Sequence, residues 1–185
     1  MHHRAWSARV RSRGFTLLEL MTVVVIIGIL AALAIYSVRG YIQSSKTAEA
    51  REIIGSIKAG EEAYFDEVFK YLNVSDLSTY HPIANTDGRV KADWRGSSCS
   101  GCLAAYRTLG VEVPAPVMFR YATAAAVGEL KDLPLPDVTG TPFAAAPAGP
   151  YYVVKAISDL DGKGAKTVFL SSNYSAEIYS ENVGQ

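Results

Sequence analysis

The hydrophobic pattern begins with one long apolar run near the start of the chain. Residues 15–38 read FTLLELMTVVVIIGILAALAIYSV and contain a single charged residue, Glu19. As a helix, this run spans about 36 Å at ~1.5 Å per residue, which is enough to cross a hydrocarbon core of ~30 Å. The run therefore predicts a transmembrane helix.

A second, amphipathic pattern follows directly. Residues 39–72 contain no proline, and their pattern is interrupted only at Gly60 and Glu61. Apolar residues recur there at steps of three and four: Ala50, Ile53, Ile57, Tyr64, Val68 and Tyr71. This spacing predicts one helix from Phe15 to Leu72, whose second half packs on a globular domain. We expect its aromatic residues to join the core: Tyr64, Phe65, Phe69 and Tyr71.

The rest of the chain favours strands after a connecting region. Residues 73–117 lack periodicity and carry turn signals, so we expect a surface connection there. Three β-like stretches follow, with a fourth short segment that either pairs or hangs free: 117–127, 151–158, 166–172 and 177–180. The second and third are expected to form a hairpin. A three- or four-stranded antiparallel sheet against the amphipathic half-helix gives an α+β domain.

Charge is distributed unevenly along the chain. The formal net charge is zero, but residues 1–14 contain no acid and four arginines: Arg4, Arg9, Arg11 and Arg13. Removing this segment would leave a net charge of −4. An arginine-rich flank before an apolar run predicts a cytoplasmic N-terminus, with everything after Val38 outside the cytoplasm. The zero net charge gives no general bias toward nucleic acid.

Two kinds of ordinary signal compete for this N-terminal segment. The apolar run is too long for the h-region of a secretory signal peptide, which has 7–15 residues. No A-x-A-like site with a polar start follows the run, and the small residue Gly14 precedes it instead. An uncleaved signal anchor remains the better alternative of the two.

The junction Arg13-Gly14-Phe15-Thr16-Leu17-Leu18-Glu19-Leu20-Met21 resembles the type III signal of type IV prepilins. The resemblance covers about residues 11–35 and implies that a membrane aspartyl peptidase cuts after Gly14 and methylates the new amine of Phe15. It implies a removed leader (1–14), a transmembrane and assembly half of the helix (15–38) and an extracytoplasmic globular pilin domain (39–185).

The resemblance also assigns roles at the start of the helix. In pilin-like families the glutamate at the position of Glu19 neutralises the N-terminal ammonium of a neighbouring subunit, so Phe15, Thr16 and Glu19 are the expected assembly residues. A carboxylate tolerated near the membrane boundary, or favoured by the helix dipole, is the other interpretation of Glu19. Tyr36 stands where the family has a proline, so we expect a continuous helix.

Cys99 and Cys102 form a C-x-x-C with three interpretations. A zinc site needs four ligands, and a thioredoxin-like motif needs a βαβ context that the pattern does not show. A structural disulfide suits the expected extracytoplasmic location and is favoured. Many pilins pin their C-terminal loop with a disulfide, whereas here the C-terminal segment contains no cysteine and must be held otherwise.

The turn at residues 159–164 resembles the start of a calcium loop, with Asp159 and Asp161 as candidate ligands. Lys163 stands where a third oxygen ligand would help, and no glutamate follows at the EF-hand position. A solvated turn is the favoured interpretation. No other cofactor is expected.

These observations favour a structural subunit over an enzyme. The resemblance implies a filament subunit that assembles with copies of itself and other pilins, with prepilin peptidase, an inner-membrane assembly platform and membrane lipid as further partners. A type II secretion pseudopilin is the alternative. An enzyme is disfavoured, because His81 is the only histidine after residue 14 and the sequence shows no G-x-S-x-G, H-E-x-x-H or phosphate loop.

A local basic cluster in the connecting region raises the question of nucleic acid: Arg89, Lys91, Arg95 and Arg107. A solvated surface loop is favoured over a DNA contact, so no nucleic-acid partner is expected by default. The expected location is the inner membrane, as a single-pass protein, and then a pilus or pseudopilus in the periplasm or at the cell surface.

Overall fold

A computed structural model describes residues 14–83, 90–96, 99–128, 135, 137–140, 143, 149–160 and 162–183. The chain divides into two compact units, Met1–Tyr41 and Ile42–Gln185. The long helix α1 contributes to both. In the first unit the described side chains of this helix are exposed, and the second unit contains the sheet and its core.

Helix α1 runs from Leu17 to Val68 without interruption. The expected continuity through residue 36 is confirmed, since no proline removes a backbone donor there. The helix ends four residues before the predicted Leu72, because Phe69 adopts a left-handed backbone with φ 58°. The chain then turns back, and Leu72 N–H donates to Glu61 Oε2 at 2.8 Å. The returning chain keeps Tyr71 against the core, which explains why the apolar spacing continues beyond the helix.

The four strands form one antiparallel sheet in the order β1-β2-β3-β4. Their bounds are Arg120–Val127, Pro150–Ser158, Thr167–Ser172 and Ser175–Glu181. The α+β prediction and the β2–β3 hairpin are confirmed, and the fourth segment pairs with β3. Strand β1 begins three residues later than predicted, because the backbone of Val117 exchanges two hydrogen bonds with Ala92 instead of extending the strand.

A short helix α2, Cys102–Thr108, lies in the region where the sequence showed no periodicity. Seven residues give fewer than two turns, too few for an apolar period to emerge. Its Tyr106 is fully buried, and the Tyr106 hydroxyl lies 3.2 Å from Thr123 Oγ1 on β1. Helix α2 therefore adds to the core that α1 and the sheet share.

Both faces of the sheet are covered. One face packs on the second half of α1 through Ile53, Ile54, Ile57, Tyr121, Tyr152, Val154 and Phe169. The other face carries Ala122, Ala124, Tyr151, Val153, Val168 and Leu170, and residues outside the sheet pack on it, among them Leu77, Val138 and Phe143. Two-sided burial explains why β2 reads as an almost continuous apolar run.

The aromatic residues at the end of α1 only partly meet the expectation. Tyr64 and Tyr71 pack on the core, and Phe65 stacks on Tyr71 with ring centroids 4.6 Å apart. Phe69 is 75% exposed, so its assignment to the core was wrong. Its left-handed backbone turns the chain, and its exposed ring meets only the edge of the stripe, in a T-shaped contact with Phe65 at 6.5 Å between centroids. Glu61, which interrupted the apolar pattern, is fully buried.

Candidate functional site at the start of the long helix

Thr16 and Glu19 hold each other at the first turn of α1. The backbone N–H and the hydroxyl of Thr16 both donate to Glu19 Oε2, each at 2.8 Å. Glu19 N–H donates to Thr16 Oγ1 at 3.2 Å. This reciprocal pattern is a capping box, in which a threonine and a glutamate three residues later satisfy free backbone donors at a helix start.

The second carboxylate oxygen of Glu19 is available. Within the part of the chain that the structure describes, Glu19 Oε1 accepts no hydrogen bond, whereas Oε2 accepts two. The side chain is exposed, and its charge lies where the helix dipole favours an anion. Capping and pairing with an ammonium group are therefore compatible, because they use different oxygens of one carboxylate.

An apolar surface surrounds this polar turn. Residues Leu17–Ile35 have a mean hydropathy of 2.7, and none of this segment is buried inside the structure. It is the one helix, among the described residues, that is long and apolar enough to cross a membrane. Phe15, directly before the cap, is 79% exposed. A helix that is apolar on all sides requires lipid or other helices around it.

The two cysteines lie at the entry to α2. Cys99 and Cys102 form a disulfide with Cα atoms 5.4 Å apart. Both side chains are largely buried. The bridge closes the turn that precedes α2 and holds Cys102 close to Val74, which follows the end of α1.

Asp159 organises the turn between β2 and β3. Its Oδ1 accepts from Gly162 N–H at 2.8 Å, and its Oδ2 accepts from Gly164 N–H at 2.9 Å. Asp161, the other candidate calcium ligand, lies outside the described residues. Both oxygens of Asp159 already serve the backbone of the turn, and calcium binding stays a prediction.

The basic residues of the connecting region are largely paired with acids. Lys91 lies 3.7 Å from Glu49, and Arg95 lies 3.7 Å from Glu112. Arg107 is exposed on α2, while Arg89 lies outside the described residues. Two of the three described cations therefore have an acidic partner.

His81 is a core residue. It is fully buried, its ring lies 4.5 Å from that of Trp94, and its backbone exchanges two hydrogen bonds with Tyr121. Burial lowers the pKa of His81 to about 4, although a hydrogen bond with the backbone of Trp94 acts in the opposite direction. The imidazole is therefore neutral at physiological pH, packed among rings rather than presented to a substrate.

Two carboxylates that the sequence analysis did not single out hold the region of the C-terminal strand. Glu181 of β4 accepts hydrogen bonds from Thr139 N–H at 3.2 Å, Gly140 N–H at 2.9 Å and the Tyr179 hydroxyl at 2.6 Å. These bonds, the one from Tyr179 above all, lower the pKa of Glu181. One carboxylate thus fixes the loop at residues 137–140 to the end of the sheet, a role that needs no cysteine.

A second carboxylate fixes the same loop. The Asp137 carboxylate lies 3.4 Å from the ammonium group of the buried Lys155 and 2.8 Å from the ammonium group of the partly exposed Lys166. It also accepts a hydrogen bond from the Tyr80 hydroxyl. Burial alone would raise the pKa of Asp137, but the two lysines outweigh it and lower the pKa. The partners are 18 to 57 residues apart, so no local motif could reveal them.

Parts of the chain are similar to known proteins. Residues 9–35 match the family described as the prokaryotic N-terminal methylation motif. The chain is 39% identical over 72 residues to the type IV major pilin protein PilA of Myxococcus xanthus strain DK1622, a match that covers 39% of this chain and 33% of the pilin.

Two further relatives are similar over shorter segments. Fimbrial protein EcpC of Eikenella corrodens is 42% identical over 55 residues, covering 30% of this chain and 36% of its own length. The type IV major alpha-pilin of Moraxella bovis is 43% identical over 58 residues, covering 31% and 35%. The chain thus spans about a third of the length of these relatives. No solved structure matches it significantly. The chain thus carries a methylation motif on its apolar helix and is similar to type IV pilins over part of its length.

Proposed function

We propose that the chain is a structural subunit of a type IV pilus-like filament, cut after Gly14, methylated at Phe15 and assembled through the apolar half of α1. The observation that carries this proposal is the methylation motif at residues 9–35, which overlaps the start of a fully exposed apolar helix. The pilin relatives support the same class of protein.

Glu19 gives the assembly its register. Cleavage after Gly14 creates an ammonium group at Phe15, and Thr16 holds one oxygen of Glu19 while leaving the other exposed. Opposite unit charges about 4 Å apart attract by ~4 kcal/mol at an effective dielectric of ~20, before the cost of desolvation. Because that cost offsets much of the attraction, the pair selects the correct alignment of neighbouring helices more than it adds stability.

Cleavage also prepares the helix for transfer into a filament. Residues 1–14 carry four arginines, which hold the N-terminus in the cytoplasm before processing. Their removal leaves an apolar helix with one acid near its start. Prepilin peptidase, an inner-membrane assembly platform and other pilins are the partners this pathway requires, with the globular domain outside the cytoplasm.

The test separates the two uses of Glu19. Glu19→Gln keeps a side chain that a capping box accepts but removes the charge. We expect it to be processed normally and to yield no filaments, measured as mature protein in membranes and protein recovered from sheared cell-surface fibres. Glu67→Gln, an exposed acid on the same helix, is the matched control and is expected to assemble. Normal filament yield from Glu19→Gln would leave Glu19 with a capping role only and would contradict the pairing proposal.

The same preparations separate the candidate filament types. Wild-type protein in surface fibres supports a pilus, whereas processed protein confined to the periplasm supports the pseudopilus of a type II secretion system.

A further inference from the structure

Glu61 is a carboxyl group in the core of the second unit. Its side chain is fully buried on α1. Oε2 accepts a hydrogen bond from Leu72 N–H at 2.8 Å, and Oε1 has no hydrogen-bond partner among the described residues. This bond joins the last turns of α1 to the chain that returns after the helix, over residues 69–73, and the Tyr71 hydroxyl adds a second bond to Glu62 Oε2 at 3.3 Å.

The groups around Glu61 do not balance a negative charge. Tyr71 on the returning chain, Tyr106 on α2 and Tyr152 on β2 interact with it, and burial raises the pKa of all three phenols. They are therefore neutral at physiological pH. Glu62, the adjacent residue on α1, carries a charge of the same sign.

The nearest cation on α1 is engaged elsewhere. Lys58 Nζ donates to Ser171 Oγ at 3.1 Å and to Ser175 O at 3.3 Å. It interacts electrostatically with Glu62, and among the described residues no cation contributes to the electrostatics of Glu61. A buried carboxylate with one donor and no counter-ion is costly, so the protonated form is favoured.

The electrostatics agree with this geometry. Burial, the largest cause, raises the pKa of Glu61 to about 7, and Glu62 adds to the rise while the bond from Leu72 N–H opposes it. The ordinary value is 4.5. Protonated Glu61 therefore contributes stability that is fully present in acid and is lost as the pH rises through 7.

We propose that Glu61 is a protonation switch: protonated, it fits the core between α1 and the returning chain at residues 69–73, and ionised, it places an unbalanced buried charge there and destabilises this packing. The switch rests on the contacts of the second unit and is independent of the proposed filament role. Through this switch the folded globular domain is more stable at mildly acidic than at mildly alkaline pH.

Another buried group partly hides this effect in the wild-type protein. The depressed pKa of His81 makes the domain less stable as the pH falls below 6.5, which is the opposite direction. Between pH 5.5 and 8 the two groups offset each other in part, because the effect of His81 is about tenfold and that of Glu61 about 30-fold. The unfolding constant of the wild type is thus expected to rise only about threefold, and comparison with a variant that lacks the carboxyl isolates the switch.

The experiment compares unfolding of the full chain in detergent micelles at pH 5.5 and pH 8, for the wild type and Glu61→Gln. The pKa of Glu61 is about 7 in the folded state and 4.5 in the unfolded state. The unfolding constant of the wild type, divided by that of Glu61→Gln, should therefore rise about 30-fold from pH 5.5 to pH 8. The control Glu67→Gln should leave the ratio unchanged. An unchanged ratio for Glu61→Gln would overturn the proposal.

A direct titration keeps the proposal testable if Glu61→Gln does not fold. The side-chain carboxyl carbon of Glu61 is followed by NMR in the wild-type protein. We expect a midpoint near 7, with a change in the exchange rate of the Leu72 amide at the same pH. A midpoint near 4.5 would overturn the switch.

Discussion

Two glycines on α1 allow the packing of this helix on the domain to be measured. A Cβ atom added at Gly60 would overlap the carbonyl oxygen of Leu109 and approach Leu109 Cβ to 3.0 Å. A Cβ atom added at Gly55 meets nothing within 4 Å. Both residues lie inside the same helix, so Gly60→Ala and Gly55→Ala change helix propensity equally and differ only in what the methyl group meets.

The magnitudes follow from these two effects. Replacing glycine by alanine inside a helix stabilises it by about 1 kcal/mol. An extra methyl group in a packed interface costs ~1–3 kcal/mol, and the upper part of this range applies because the obstacle at Gly60 is a backbone atom at the end of α2. We therefore expect Gly55→Ala to stabilise the domain by about 1 kcal/mol and Gly60→Ala to destabilise it by about 1–2 kcal/mol.

Unfolding of the full chain in detergent micelles measures this difference. Near-ultraviolet circular dichroism is the suitable signal, because the buried aromatic rings lie in the second unit and not in the apolar segment. One kcal/mol corresponds to about 2–4 °C in Tm for a chain of this size. Equal or higher stability of Gly60→Ala relative to Gly55→Ala would refute the close approach of α1 to Leu109.

Two further variants test other contacts. Gly140→Ala places a methyl group against the Tyr179 hydroxyl and the carboxylate of Glu181, so we expect it to lower Tm by several degrees. The control Gly149→Ala meets nothing within 4 Å and is expected to change Tm little. Equal Tm values for the two variants would contradict the role of the Glu181 carboxylate. His81→Gln removes a base that the fold keeps neutral. We expect the variant to be more stable at pH 5.5 relative to pH 8 than the wild type, by a decrease of up to about tenfold in the unfolding constant at pH 5.5. An unaltered pH profile would argue against the depressed pKa of His81.

Periodicity predicted the elements whose environment is uniform along their length. The run at 15–38 is apolar on every side, and the strands at 151–158 and 166–172 are covered on both faces. In each case many residues carry the same signal, so a single exception does not change the interpretation. The antiparallel hairpin followed from a short turn between two such stretches.

What the sequence did not reveal depends on contacts between distant residues. The helix ends at Val68 because Phe69 turns the chain and the N–H of Leu72 donates a hydrogen bond to Glu61. The apolar spacing nevertheless continues across that turn. The buried position of Glu61 contradicts the usual exposure of acids. The loop at 137–140 is fixed by carboxylates whose partners are far away in sequence.

The start of α1 shows both situations together. The spacing of Thr16 and Glu19 suits a local capping box, and in the structure these two residues hydrogen-bond to each other. Whether Glu19 also meets an ammonium group depends on another copy of the chain, which no intrachain pattern encodes. The filament role is therefore tested on the processed protein.

The N-terminus of the protein extracted from native membranes tests the central claim most directly. Intact-mass and N-terminal peptide mass spectrometry distinguish a chain that begins at Phe15 from one that begins at Met1. The proposed function predicts a mature chain that starts with methylated Phe15 and lacks residues 1–14. An intact Met1 at the N-terminus of the membrane-extracted protein would contradict it.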